Sequence, residues 1–261
     1  MLTTPTWFNG RLQITTGLGM QFRHQFLDLS HYRHSYVIGD IHGKLDPLKA
    51  ALAQLKFDPK QDCLISVGDL IDRGPASAAT LTFYQQQPWF YAVAGNHELM
   101  MSNALAVWWQ ADRSELEQRY IDLWTIKNGG QWALTLTEQA LKQLQSIVEA
   151  MPCALTCQLA NGKTIGISHA QPHGLDWLEM QTWQGDMREN PRWIWGRTRI
   201  KEETAEAVQG VDLTIHGHTM SEQPVQVANS LFIDTASSQD YQGPFTLIEL
   251  NSMQTYRVPI N

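Results

Sequence analysis

Between Gly39 and Glu98 the chain carries three short polar signatures, each closing an apolar run and each opening a segment of helical spacing. They are Gly39-Asp40-Ile41-His42-Gly43, Gly68-Asp69-Leu70-Ile71-Asp72-Arg73-Gly74 and Gly95-Asn96-His97-Glu98. The runs before them, Tyr36-Val37-Ile38, Leu64-Ile65-Ser66-Val67 and Phe90-Tyr91-Ala92-Val93, are β-branched or aromatic and read as strands. After the first signature, Leu45, Leu48, Leu52 and Leu55 fall on one helical stripe, with Asp46 expected as N-cap and Pro47 in the first turn. Strand, loop and helix in threefold succession predict consecutive βαβ units on a parallel sheet. Right-handed crossovers then carry all three signatures to one rim, outside the carboxyl ends of the strands, where such sheets bind ligands.

The residue types at that rim are those of a metal site. Asp40, His42, Asp69, Asn96 and His97 offer hard oxygen and imidazole donors with no thiolate, a set that suits manganese, iron or zinc. Flanking glycines let the backbone turn sharply and approach a ligand. A single Gly-Asp pair is an ordinary turn. Three in order, all at strand ends, are not.

These signatures resemble the three motifs of the phosphoprotein phosphatase branch of the calcineurin-like metallophosphoesterases. Ile167-Ser168-His169-Ala170, Trp193-Ile194-Trp195-Gly196-Arg197, His216-Gly217-His218-Thr219 and Ile233-Asp234-Thr235 are similar to stretches of the small bacterial and lambda-phage-type enzymes. The likeness runs from about Ser35 to about Leu250. It implies an α/β (α+β) fold of two packed mixed sheets flanked by helices, the αββα sandwich, over residues 35–261, with 1–34 as an N-terminal extension.

Composition narrows the partners. A formal charge of −7 and a pI near 5.7 make neither nucleic acid nor an anionic membrane an expected partner. Residues 1–34 lack the basic start and apolar core of a signal peptide, and no run reaches the ~18 apolar residues of a membrane span. Gly17-Leu18-Gly19-Met20 lacks the third glycine of a dinucleotide loop, and His24, His31 and His34 match no common metal spacing. Cys63, Cys153 and Cys157 read as buried thiols rather than a zinc knuckle, which fits the cytoplasm.

Beyond Glu98 the pattern turns helical. Leu99–Val107 carries Met100, Met101 and Leu105, and with Trp108 and Trp109 directly after it these are expected core. Residues 114–127 predict one helix with Leu116, Tyr120, Leu123 and Trp124 on a face, ended by Asn128-Gly129-Gly130; residues 138–151 predict another, stopped by Pro152. This block can form a cap beside the site. Two strands flank Asn161-Gly162, a type I′ hairpin signal, and a mostly antiparallel set follows from Val211 to Leu250.

The resemblance implies roles residue by residue. Asp40, His42 and Asp69 would hold one divalent ion, and Asp69, Asn96, His169 and His218 a second, manganese first with iron or zinc as alternatives. A shared carboxylate sets such ions roughly 3.5–4 Å apart, and a hydroxide bridging them would attack phosphorus directly. Arg73 and Arg197 would bind the phosphoryl oxygens as forked donors. His97 would protonate the leaving group, with Asp72 orienting its ring; a carboxylate beside an imidazole favours the protonated form. Met220 stands where many metallophosphoesterases carry a further histidine, and His216 is expected to be packed rather than a ligand. The expected substrates are phosphoproteins, phosphoserine and phosphothreonine above all, with phosphotyrosine or phosphohistidine as extensions. Symmetrical diadenosine tetraphosphate hydrolysis is the alternative, with Trp193 and Trp195 able to stack a base. A silent phosphopeptide-binding module is the third reading, opposed by the intact ligand positions.

Overall fold

The computed structural model describes residues 6–8, 11–13, 20–202 and 206–260. Met1-Leu2-Thr3-Thr4-Pro5 and Gly17-Leu18-Gly19 lie outside the described residues.

The first half builds the parallel sheet that the sequence predicts. Strands β4 (His34–Ile38), β5 (Asp62–Ser66) and β6 (Phe90–Ala92) pair in parallel in that order. They are linked by helices α1 (Leu45–Gln54) and α2 (Ser77–Gln86), and α3 (Asn96–Val107) leaves β6. Strands β12 (Phe245–Glu249) and β13 (Gln254–Val258) extend this sheet antiparallel on the β4 side. The second sheet contains β10 (Val225–Val227), β11 (Ser230–Phe232), β9 (Leu213–His216), β8 (Thr164–Ser168), β7 (Ala154–Gln158) and β3 (His24–Asp28), in that order. A two-stranded pair, β1 (Thr6–Phe8) with β2 (Arg11–Gln13), precedes them.

The apolar runs are continuous because both faces of each inner strand are covered. On β4 and β5, Val37, Cys63 and Ile65 point into the core between the sheets, where they meet Leu155, Cys157, Ile165, Ile167 and Ile215. Tyr36, Ile38 and Leu64 point the other way, against the helices. The outer face of the second sheet is closed by short helices α6 (Leu178–Gln181) and α7 (Arg192–Trp195). There Trp177 lies so close to Gly166 that an added Cβ would meet its ring at 2.6 Å, and its Nε1 donates to Thr156 Oγ1 at 2.7 Å. Helix, sheet, sheet and helix layers result. All three cysteines are free and buried.

Several local expectations need correction. Helix α1 starts two residues earlier than Asp46 as N-cap predicts, because Leu45 belongs to the buried stripe; Lys44 holds the N-cap position without a side-chain cap bond. Residues 114–127 do not form one α-helix. Helix α4 (Glu115–Asp122) begins with a Ser114–Glu117 capping box and passes into a π-helical turn, Leu123–Lys127. That wider turn rotates the face, so Trp124 is buried while Leu116 and Leu123 are exposed at 60% and 44%. Trp109, expected in the core, is also exposed. At Asn161-Gly162 only the glycine has positive φ, at 85°, so the turn is not type I′. The strands from Val211 onward are less antiparallel than expected: β9 is parallel to both β8 and β11, and β12 crosses to the other sheet.

Helix α5 (Glu138–Ala150) follows its predicted span, with Leu141, Leu144 and Val148 buried. Among the described residues no helix is long and apolar enough to cross a membrane.

Candidate metal centre

The three signatures meet at the rim, and backbone geometry explains why glycine recurs there. His42, Asp69, Asp72 and Arg73 have positive φ, between 47° and 70°, so the turns are tightly wound. Gly95 has no such twist but must stay bare, because a Cβ there would lie 2.0 Å from Asp69 Oδ1. Glu98 fastens the second signature to the third. Its Oε2 accepts from Asp69 N at 2.9 Å and Gly95 N at 2.7 Å, and its Oε1 from Leu70 N at 2.9 Å. Burial foremost, and then the Asp69 carboxylate, push the Glu98 carboxyl up to about 7.

Asp69 stands between two sets of donors. Its Oδ2 lies 3.8 Å from His42 Nε2 and 3.8 Å from His97 Nε2. Its Oδ1 lies 3.4 Å from His169 Nε2. Asn96 Oδ1 is 2.9 Å from His169 Nε2 and 2.7 Å from His218 Nδ1. Asp40 joins through the backbone: both carboxylate oxygens accept from His218 N at 3.2 Å. The structure thus brings Asp40, His42, Asp69, Asn96, His97, His169 and His218 into one buried cluster.

The donor set fits a divalent cation. His169 Nδ1 is 2.9 Å from the Val67 carbonyl and His42 Nδ1 is 2.9 Å from the Ile71 carbonyl. A carbonyl only accepts, so these Nδ1 atoms carry the protons and each neutral ring turns a bare Nε2 inward. On His169 that lone pair confronts another acceptor, Asn96 Oδ1. A neutral ring there leaves two acceptors in contact, which a second proton on Nε2 or a cation between them relieves. The electrostatics tell the same story. Burial works against a proton on His169, yet Asp69 overcomes it and the pKa moves up. Asp69 itself is buried, yet His169, His97 and His42 hold it well below the usual carboxylate range.

Further groups surround the cluster. Burial, Asp234 and Asp69 push Asp40 well up, and Lys44 Nζ donates to the Ala236 carbonyl at 3.1 Å beside them. Arg73 Nη1 donates to His42 Nε2 at 3.2 Å, and its guanidinium lies 4.5 Å from the Tyr241 ring centre. Arg197 Nη1 donates to the His218 carbonyl at 2.8 Å. His216, as expected, is packed: its Nδ1 faces the Ser168 carbonyl at 2.9 Å and its ring lies against Phe232.

His97 Nδ1 faces Asp72 Oδ2 at 2.6 Å, which leaves its Nε2 toward the cluster. Asp72 also accepts from two indoles, Trp124 Nε1 at 3.0 Å on Oδ2 and Trp132 Nε1 at 2.7 Å on Oδ1. Sequence reasoning treated Trp124 as packing and missed Trp132, Glu98, Lys44 and Tyr241. The Lys directly after the first signature and the Glu closing the third were the signals available; the other three had none.

The surface beside the centre mixes apolar and polar side chains. Trp195 lies 6.3 Å from the His218 ring and lines a recess with Tyr120 and Met187, which also line an open cleft of about 830 Å³. Leu116, Phe22 and Trp183 continue that cleft. Trp193, by contrast, is fully buried and cannot stack a base.

A family model described as calcineurin-like phosphoesterase matches residues 34–222. Serine/threonine-protein phosphatase 2 of Escherichia coli (strain K12) is 34% identical over 221 residues, 82% of this chain and 93% of that protein. The symmetrical bis(5'-nucleosyl)-tetraphosphatase of Yersinia pestis (strain Pestoides F) is 46% identical over 90 residues, 34% of this chain and 30% of that protein. A solved structure named as a candidate diadenosine tetraphosphatase has a TM-score of 0.61 at 16% identity, covering 92% of this chain and 98% of that one. The last is a likeness of fold.

Proposed function

The chain belongs to the calcineurin-like phosphoesterase family, and from that premise we propose that it is a metal-dependent phosphomonoesterase acting on phosphoproteins. The observation that carries the reading is the placement of Asp69, one carboxylate oxygen toward His42 and the other toward His169 and the Asn96–His218 pair. On this reading Asp40, His42 and Asp69 hold one divalent ion and Asp69, Asn96, His169 and His218 the other, with manganese the first choice. Bound there, the two ions would supply Lewis acidity toward the phosphoryl group and an activated water as nucleophile.

The chain's own groups do the rest. Arg73 and Arg197 flank the cluster from two sides and present planar forked donors to the phosphoryl oxygens. His97 gives its Nε2 proton to the leaving oxygen as the P–O bond breaks and its electron pair moves onto that oxygen. Asp72, on Nδ1, keeps the ring aimed and stabilises the imidazolium. The cleft, lined by both apolar and polar side chains, accommodates polypeptide flanking the phosphorylated residue.

Phosphoprotein is preferred over dinucleotide on extent of likeness. Similarity to the protein phosphatase spans 82% of the chain, whereas similarity to the tetraphosphatase spans 34%. The higher identity of that shorter stretch keeps symmetrical dinucleotide hydrolysis as the second reading. A parallel assay of phosphoserine, phosphothreonine and phosphotyrosine peptides beside diadenosine tetraphosphate, with manganese and with chelator, separates them. Metal-dependent release of phosphate from peptides supports the first; turnover of the dinucleotide alone selects the second.

A further inference from the structure

We infer that Trp124 and Trp132 are positioning residues for proton transfer, fixing Asp72 through two indole N–H donors so that His97 can act on the leaving group. The inference rests on the reading of His97 as the proton donor.

Asp72 is buried and its carboxylate is saturated. Oδ2 takes His97 Nδ1 at 2.6 Å and Trp124 Nε1 at 3.0 Å; Oδ1 takes Trp132 Nε1 at 2.7 Å, with Trp124 at 3.1 Å. A carboxylate held on both oxygens cannot rotate about its last bond without losing a donor. The imidazole it holds is therefore fixed too. Neutral indole donors are suited to this task, because they hold the carboxylate without supplying a positive charge that would compete with the imidazolium. The two rings also brace each other, edge to face, with centres 5.8 Å apart and planes at 88°.

The local backbone is shaped to deliver these donors. Trp124 sits in the π-helical turn, a form that recurs at functional sites. The Gly129-Gly130 step then clears the way. Gly129 has φ +88°, and a Cβ there would lie 2.8 Å from Arg73 N; a Cβ on Gly130 would lie 2.5 Å from Trp124 Nε1. Not every indole is served this way: among the described residues, the Nε1 atoms of buried Trp193 and half-buried Trp195 have no hydrogen-bond partner.

The test compares a phosphoserine peptide, whose alkoxide needs the proton, with p-nitrophenyl phosphate, whose phenolate does not. Trp132→Phe keeps the ring and deletes the donor. It is expected to lower kcat on the peptide at least tenfold and on the aryl ester less than twofold, with unchanged metal content and thermal midpoint. In a His97→Asn background the same substitution should add nothing, since both changes act through one proton. Equal losses on the two substrates, no loss, or a further tenfold loss in the His97→Asn background overturn the inference. His97→Asn alone checks the underlying reading: it must hit the peptide harder than the aryl ester, and if it does not, both fall together. If Trp124→Phe fails to fold, because that ring is fully buried, the half-buried Trp132 still decides the matter.

Discussion

Asp69 Oδ1 lies 3.4 Å from His169 Nε2, while the other oxygen of the same carboxylate faces His42 from the far side. One short side chain thus joins donors contributed by two different sheets, since Asp69 follows β5 and His169 follows β8. The sandwich is what makes this possible. A left-handed turn at Gly68 and the bare Cα of Gly95 let the two rims approach this closely, and the consequences of disturbing them can be stated.

Gly95→Ala should empty the centre and lower stability together. The added Cβ falls 2.0 Å from Asp69 Oδ1, so the carboxylate must swing away, and 2.5 Å from Asp69 N, so the backbone of the second signature must shift as well. The backbone itself is unstrained at φ −94°. Metal content measured by elemental analysis should drop, and kcat should fall by on the order of 10²-fold or more, the usual scale for losing aligned electrostatic groups.

Arg73→Lys is not a conservative change. The guanidinium reaches His42 and stacks on Tyr241, and a lysine would keep the charge but lose the planar fork. We expect kcat/KM on p-nitrophenyl phosphate to fall by on the order of 10²-fold. Metal stoichiometry should stay unchanged, which distinguishes loss of a phosphoryl contact from loss of an ion.

The cleft should matter to peptides and not to small esters. Leu116 is 60% exposed on its wall and is none of the residues assigned to the chemistry. Leu116→Glu should raise KM for phosphopeptides by about tenfold, a fraction of what burying a leucine is worth. Steady-state kinetics on p-nitrophenyl phosphate should be unaffected.

His216 gives the metal-free protein an acid-sensitive element. Burial pushes its pKa down to about 3, against an ordinary value of 6.5. The folded state needs the neutral ring, so its share of stability is complete above pH 6.5 and is lost progressively as pH falls toward 3. At about 1.4 kcal/mol per pH unit, moving from pH 6.5 to 5 costs roughly 2 kcal/mol. Denaturant unfolding of chelated protein at both values should show that loss, and His216→Asn should lose about 2 kcal/mol less.

Much of this centre was legible before any coordinates. Asp40, His42, Asp69, Asn96 and His97 follow strands, so continuous apolar runs located them, and His169 and His218 end or closely follow strands of the second sheet in the same way. The supporting residues were not legible for physical reasons. Trp124 and Trp132 look like core in a linear reading, since an indole is mostly apolar and only its direction reveals a donor. The π-helical turn that aims Trp124 breaks the 3.6-residue period on which helical faces are predicted, which is also why Leu116 and Leu123 were misplaced. Tyr241 reaches Arg73 from residues 239–241, three successive left-handed positions without a glycine to announce them.

The most direct test is anomalous diffraction at the manganese edge from crystals grown with that ion. The proposal predicts two peaks, one beside Asp40, His42 and Asp69 and the other beside Asp69, Asn96, His169 and His218, both lost in Asp69→Asn. A cluster that binds no manganese, or peaks that survive the Asp69→Asn change, would contradict it.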